Sequence, residues 1–326
     1  MIIATDQIAR KGFPPAMRDT IYCVICVLTT CALAILCVRY VDNLWIMAFF
    51  ESLQIHFGIA CIIGAILALV VRRHWYAVAM LIVAISVTGH GIFLLHANAT
   101  TPVAVSAQPS FRLLSFNIDN DNFANSEKIG DLVVNSKADV VEIFEASPLL
   151  SQMARLTEVY PYRIGCGVVT TECDSLLLSK RPFLTQSMRS LSVLWQNRFI
   201  MATIDMDGQK VAFATAHLSK PYFDEFHGYE LSILYHILHT TKEPLLLAGD
   251  FNAAVIAPDM QEFLSRSSLR HVFPEPATWP IESGPLGIAI DHVFARAPLQ
   301  LKSVRQIPDG MGSNHYGLIT EFTITP

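Results

Sequence analysis

Leu245-Leu246-Leu247-Ala248-Gly249-Asp250-Phe251-Asn252 is the stretch on which the fold turns. Its apolar run reads as a buried strand that delivers a carboxylate, Asp250, and a carboxamide, Asn252, at its end. Alternation about Phe251 puts the two polar side chains on one side of the chain and the phenyl ring on the other. Gly-Asp and Asn are also turn residues, so a strand followed by an Asx turn explains this stretch equally well on its own.

Outward from that stretch the chain divides into two unlike parts. Apolar residues make up 52% of it and charged residues 16%, but the apolar excess is concentrated near the N-terminus. No charged residue occurs in 20–38, 52–71 or 74–111, and the apolar part of the last runs from Trp75 to about Leu95. Each stretch reaches the roughly 18 to 20 residues that a membrane-crossing helix needs. Three transmembrane helices are therefore expected, in preference to a cleaved signal peptide followed by two helices.

Basic residues set the expected orientation. Arg10, Lys11 and Arg18 precede the first helix, and Arg72 and Arg73 separate the second from the third, so both places should face the cytoplasm; Arg39 is the single contrary residue. The organisation read from this is a cytoplasmic N-terminus over 1–19, three membrane helices over 20–96, a linker over 97–109 and a catalytic domain over 110–326 on the far side of the membrane. The expected location is a bacterial inner membrane, multi-pass, with the domain on the periplasmic or extracellular side. Gly58 and Gly64 point to close helix packing without saying between which chains.

From Ser110 onward there are 17 Lys and Arg against 24 Asp and Glu, a net of −7. A surface that grips nucleic acid draws its affinity from neutralising phosphates, so this balance disfavours a nucleic-acid partner. Five of the seven cysteines lie in the membrane segments, where they serve as small apolar residues; Cys23 and Cys26 lack the neighbours that a metal or redox pair would have. Cys166 and Cys173 stand close together in the outer domain, where an oxidising compartment permits a disulfide; two buried free thiols are the alternative.

Taken in order, the outer domain alternates strand-like and helix-like segments. Strands are expected over 111–118, 139–145, 175–179, 199–205, 210–216, 287–294, 299–307 and 318–323, with an Asp207-Gly208 hairpin turn and helices over 126–136 and 224–239. Stretches 184–197 and 273–285 read as loops around the site. Polar residues recur at strand ends, which suggests two packed sheets flanked by helices with a site at one rim.

Ser115-Phe-Asn117, Ala138-Asp-Val-Val-Glu-Ile-Phe-Glu145, Leu177-Leu-Ser-Lys-Arg-Pro182, Thr215-Ala-His217-Leu, Gly249-Asp-Phe-Asn252, Ile290-Asp291-His292 and Ser313-Asn-His315 follow one another along the domain. In order and spacing they resemble the endonuclease/exonuclease/phosphatase superfamily, which is deoxyribonuclease-I-like, and the three leading helices are similar to a membrane-anchored bacterial branch of it. The resemblance implies an α/β fold, a four-layered α/β/β/α sandwich of two packed mixed sheets, and Mg²⁺-dependent cleavage of a phosphate ester, with Mn²⁺ as a substitute.

Hydrolysis of such an ester needs an oriented water, neutralised equatorial oxygens and a protonated leaving group. By resemblance, Glu145 and Asn117, with Asn314, hold the metal, which prefers hard oxygen ligands. Asp250 activates the water, and Asn252 holds a phosphate oxygen with Asn117, His217 and His315. Asp291 steers His315, and Asp174 pairs with His217. Asn314 stands where the superfamily has Asp, which weakens or shifts metal binding, and Phe144 replaces a commonly polar neighbour of the metal-binding acid.

Other polar residues have plainer expectations. Asp119 and Asp121 follow Asn117 in a loop within reach of a metal; His292 reads as structural, Glu142 as solvent-facing, and His227, His236, His239 and His271 as solvated or capping. Trp195, Phe199 and Trp279 read first as core and second as pocket aromatics. The favoured activity is a membrane-anchored phosphodiesterase or phosphatase acting outside the cytoplasm on phospholipid head groups. An extracytoplasmic nuclease, and a domain catalytically impaired by Asn314, are the alternatives. The membrane and the phosphate ester are the expected partners, with no protein partner.

Overall fold

The computed structural model describes residues 14–102 and 110–324. Arg10, Lys11 and linker residues 103–109 lie outside them. The chain forms two compact units: the residues up to Val41 with Gln54–Gly91, and Asp42–Leu53 with everything from Ile92.

The first unit contains α1 (Pro15–Cys37) and is followed in the chain by α2 (Ala48–Ser52), which belongs to the second unit; α3 (Gln54–Val71) and most of α4 (Trp75–Ala97) return to the first. Helices α1, α3 and α4 are long and apolar enough to cross a membrane. Their contacts are close where the residues are small: a Cβ on Gly58 would sit 2.3 Å from the Thr88 hydroxyl, and one on Gly64 2.5 Å from that of Thr29. The two glycines thus pack α3 against α4 and α1 of the same chain.

The second unit is built on two sheets. Strands β2 (Phe111–Asn117), β3 (Val140–Phe144), β4 (Tyr162–Ile164), β5 (Ser175–Ser179), β12 (Leu299–Gln306) and β13 (Leu318–Ile324) form one, in the order β12-β13-β2-β3-β5-β4. Strands β6 (Phe183–Arg189), β7 (Phe199–Met206), β8 (Gln209–His217), β9 (Leu245–Asp250) and β11 (Asp291–Arg296) form the other, in the order β11-β9-β8-β7-β6. Both sheets mix parallel and antiparallel pairs.

Alternation along each strand sends one row of side chains between the sheets and the other under helices. Leu113, Val140, Leu177, Phe213, Leu246 and Phe322 fill the space between them. Leu114, Val141, Ile143 and Leu176 pack outward with α5 (Ser126–Asn135) and α6 (Met153–Val159). Helices α7 (Phe226–His239) and α8 (Pro258–Ser267) belong to the other half. The expected two-sheet α/β sandwich is the fold.

Several local expectations are corrected. Segment 184–197 is not all loop: β6 pairs antiparallel with β7, an exposed edge strand whose polar sequence hides its pairing. The start of the linker is also paired, since β1 (Ala99–Thr100) lies parallel to β10 (His271–Val272). His227 and His271 are buried rather than solvated. His227 Nδ1 meets Asp259 at 2.6 Å and its Nε2 donates to the Phe251 carbonyl at 2.8 Å. Glu275 lies between His292, at 2.8 Å, and His271, at 3.2 Å. Burial alone pushes the Glu275 carboxyl up, but the two histidines outweigh it and hold the pKa at about 2.

Glu142 is the sharpest reversal. It alternates with Val140 and Phe144 on β3, is completely buried, and neither carboxyl oxygen meets a protein donor. Burial lifts its pKa well above the ordinary 4.5. Ionising the folded protein is therefore penalised, so Glu142 costs stability progressively as pH rises from about 4.5 towards the folded-state value. Glu142→Met, similar in length and apolar, is expected to raise unfolding free energy at pH 7 by about 1–3 kcal/mol and to flatten this pH dependence. Thermal unfolding in detergent at pH 5 and pH 8 checks it; a destabilised variant would mean the carboxyl has a native partner.

Candidate active site

Strand register assembles the site. In one sheet, β9 ends at Asp250, which lies opposite Asp291 on β11 and opposite His217 on β8. In the other, Asn117 ends β2 opposite Phe144 on β3, and Phe144 is opposite Ser175 on β5, so Glu145 and Asp174 flank the same rim. Gly249 permits the close approach of β8 and β9: a Cβ there would stand 1.8 Å from the Ala216 carbonyl oxygen.

One contact joins the two rows. The Asn117 carboxamide nitrogen donates to Asp250 Oδ2 at 2.9 Å and to Glu145 Oε1 at 3.2 Å. Glu145 also accepts the Asn120 amide at 2.8 Å and has φ 55°, a left-handed conformation that aims its side chain past the strand end. Asn252 shares that conformation, with φ 52°. The regular alternation expected through Asn252 therefore stops at Asp250. The Asn252 amide instead donates back to Asp250 Oδ1 at 2.9 Å, an Asx turn, and its side chain donates to the Leu218 carbonyl.

Two Asp–His pairs flank Asp250. Asp174 accepts from His217 Nδ1 at 2.8 Å, and Asp291 accepts from His315 Nδ1 at 2.8 Å. An acid on Nδ1 fixes that nitrogen as a donor and leaves Nε2 to the site. Both Nε2 atoms are directed to Asp250 Oδ2, at 3.8 Å for His217 and 3.9 Å for His315, and His217 Nε2 is 4.0 Å from Glu145. Burial lowers the His315 pKa, but Asp291 and Asp250 outweigh it and lift it to about 9, so His315 is a cation at neutral pH.

Neighbouring residues secure these pairs. Asp174 is pushed up by burial but falls below its ordinary range, because His217 and then Arg198 favour its charge. Arg198 reaches Asp174 at 2.7 Å and lies over the Trp195 ring. Cys166 and Cys173 are joined by a disulfide that closes the loop immediately before Asp174. The Ser313 hydroxyl donates to the Asn117 carbonyl at 2.8 Å and accepts the His315 amide at 3.0 Å, clamping the His315 loop to β2. Phe144 packs edge-on to His217 at 5.9 Å.

The sequence-derived residues therefore converge at one rim, where a cavity of about 200 Å³ is lined by Glu145, Asp250, Asn252, Asn314 and His315. Asp119 lines it, whereas Asp121 does not. Of the three tryptophan and phenylalanine candidates, Trp279 lines the cavity, Phe199 is core and Trp195 is exposed. Sequence reasoning missed Arg198, which completes the acid pair, and Lys220, Tyr222, Phe49 and Ser52, which line the cavity. The run Ser219-Lys220-Pro221-Tyr222 after His217 was a usable signal for two of them.

Of the residues expected to hold a hard divalent cation, Glu145 and Asn314 line the cavity, while Asn117 turns its nitrogen to Glu145 and its Oδ1 accepts the Asp119 amide at 3.1 Å. A second cluster, Asp250, Asp291 and His315, has ligand atoms within 4.8 Å of one another. In this cluster Asp291 already accepts from His315 Nδ1, as both Glu145 oxygens accept from Asn117 and Asn120.

A family model described as Endonuclease/Exonuclease/phosphatase family matches residues 114–315. No curated protein gives a significant match to the sequence. Among solved structures, humanised D. rerio TDP2 is similar with TM-score 0.54 and 17% identity over 66% of this chain and 99% of that one. A family protein from Leptotrichia buccalis is similar with TM-score 0.52 and 15% identity over 66% and 100%. One from Bacteroides thetaiotaomicron is similar with TM-score 0.53 and 13% identity over 68% and 100%. At these identities the likeness establishes the fold.

Asn117→Asp tests the geometry without any assay of activity. It places a third carboxylate against Glu145 and Asp250 in place of a donor, and stability at pH 7 should fall by about 1–3 kcal/mol. The deficit should shrink as pH falls towards the carboxylate range and when Mg²⁺ is added, as read by thermal unfolding. An unchanged melting temperature would mean that the two-sheet contact carries little.

Proposed function

The chain belongs to the Endonuclease/Exonuclease/phosphatase family, and from that premise we propose that it is a membrane-anchored, Mg²⁺-dependent phosphodiesterase or phosphatase acting outside the cytoplasm of a bacterium. The observation that carries the reading is the pair of Asp–His units whose Nε2 atoms both face Asp250.

In this reading a phosphate sits between the two imidazoles. Asp250 orients a water and takes its proton as the water oxygen bonds to phosphorus, while the bond to the leaving oxygen breaks. Cationic His315 stabilises the charge on the phosphoryl oxygens, and the carboxamide of Asn252 holds one of them. His217, steadied by Asp174 and Arg198, stands on the opposite side. A divalent cation at Glu145, Asn117 and Asn314 supplies Lewis-acid polarisation when bound. Asn314 keeps an oxygen donor while giving up a charge, so the metal rests chiefly on Glu145.

Arg18 before α1, and Arg72 and Arg73 between α3 and α4, support a cytoplasmic side for those ends and an outer side for the domain. A disulfide fits that compartment. A lipid phosphate is favoured over nucleic acid by the tether to the bilayer and by the domain's net charge of −7. The nuclease reading has one point in its favour: the TDP2 fold neighbour was solved with a single strand DNA product. A binding-only domain impaired by Asn314 is the remaining alternative.

The full chain in detergent, assayed with bis-p-nitrophenyl phosphate, plasmid DNA and phospholipid vesicles, is expected to turn over the simple diester and a vesicle lipid only with Mg²⁺. Asp250→Asn and His315→Ala should each lower the rate by about 10³-fold or more. Preferred cleavage of plasmid DNA would install the nuclease reading, and no turnover of any substrate by folded protein would favour the impaired domain.

A further inference from the structure

The segment joining α1 to α3 contributes to the cavity. Asp42–Leu53 belongs to the larger unit, and Phe49 and Ser52 line the same cavity as Glu145, Asp250 and His315. Ser52 Oγ accepts the Ala254 amide at 3.2 Å, tying the segment beside the Gly249-Asp250-Phe251-Asn252 turn. The Phe49 ring packs edge-on against Tyr222, centroids 6.0 Å apart with an interplanar angle of 83°. Trp279 adds a third aromatic lining. The cavity is therefore lined by both charged polar groups and aromatic rings.

We propose that Phe49, backed by Tyr222, is a specificity-determining wall of the active site that selects phosphate esters bearing a flexible hydrocarbon chain, a lipid phosphate rather than a nucleotide. The inference rests on the phosphoesterase reading of the same site and names its substrate class. Two observations favour a lipid. Two rings set edge to face leave no parallel slot for a flat base, whereas an alkyl chain packs against any aromatic face or edge. Exposed apolar residues accompany the wall: Phe223 is in ring contact with Tyr222 at 4.8 Å, and Leu44, Trp45 and Ile46 precede Phe49 on the same segment.

Chain connectivity adds a reason for the choice of segment. Phe49 precedes Gln54, the first residue of α3, by five positions, so a wall of the cavity is built from the same short connection that links two helices able to cross a membrane.

The test uses the full chain in nanodiscs and a series of methyl, butyl and hexyl p-nitrophenyl phosphates, which share the reacting phosphorus and leaving group. The readout is the ratio of kcat/KM for the hexyl ester to that for the methyl ester. Wild type is expected to favour hexyl by about tenfold or more, equivalent to burying one or two methylenes. Phe49→Ser should lose most of that ratio, and Phe49→Leu, which restores an apolar wall, should regain it. Wild-type preference for thymidine 5′-p-nitrophenyl phosphate over the hexyl ester would overturn the lipid assignment. A hexyl-to-methyl ratio in Phe49→Ser equal to that of wild type would overturn the wall.

Binding of hexyl phosphate against methyl phosphate to the same nanodiscs, by calorimetry, separates this inference from the one beneath it. Chain-selective, Phe49-dependent binding without turnover keeps the wall and removes the hydrolase. Turnover with neither chain-selective kinetics nor chain-selective binding keeps the hydrolase and removes the wall.

Discussion

The Asn117 carboxamide, which donates at once to Glu145 and to Asp250, is the interaction on which the site depends. It spans from the end of β2 in one sheet to the end of β9 in the other, at the rim where neither sheet has a further strand residue to pair. Two carboxylates brought this close repel, and a neutral donor between them removes the conflict without neutralising either acid. That leaves the anionic charge available to a cation and a water, which a lysine or arginine at position 117 would have quenched. The rest of the rim follows from register, since Asp291 and His217 are held beside Asp250 by backbone pairing alone.

The histidines show the same economy of means. Each is fixed through Nδ1 by a carboxylate from a different element and presents Nε2 to the same oxygen. They differ in electrostatic setting: His315 is buried among Asp291, Asp250 and Glu145, which favour its charged form, while the Asp174 that holds His217 shares its charge with Arg198. A symmetrical constellation thereby acquires two unlike sides.

What was legible in the sequence was local and periodic. Apolar runs locate the strands and polar residues at their tips locate the rim, and the resemblance to the endonuclease/exonuclease/phosphatase superfamily then picks out Asn117, Glu145, Asp174, His217, Asp250, Asp291 and His315. What was not legible was set by tertiary contact. Glu142 looks solvent-facing by residue type, yet β3 is covered on both faces and carries it inward. His227 meets Asp259, an acid that only folding brings near, whereas His271 meets Glu275 four residues on and it is their joint burial with His292 that the sequence hides. Strand β6 carries few apolar residues because, at an edge, only pairing with β7 defines it. Phe49, more than sixty residues before the first catalytic residue, could be placed in the cavity by no local rule.

The central proposal is that Glu145, rather than the cluster of Asp250, Asp291 and His315, holds the divalent cation of a phosphoesterase. Titration of full-length protein with Mn²⁺, following free ion by electron paramagnetic resonance, tests it most directly with wild type, Glu145→Gln and Asp291→Asn. The account predicts one site in wild type, lost in Glu145→Gln and retained in Asp291→Asn. Retention in Glu145→Gln with loss in Asp291→Asn would contradict it and assign the cation to the Asp250, Asp291 and His315 cluster instead.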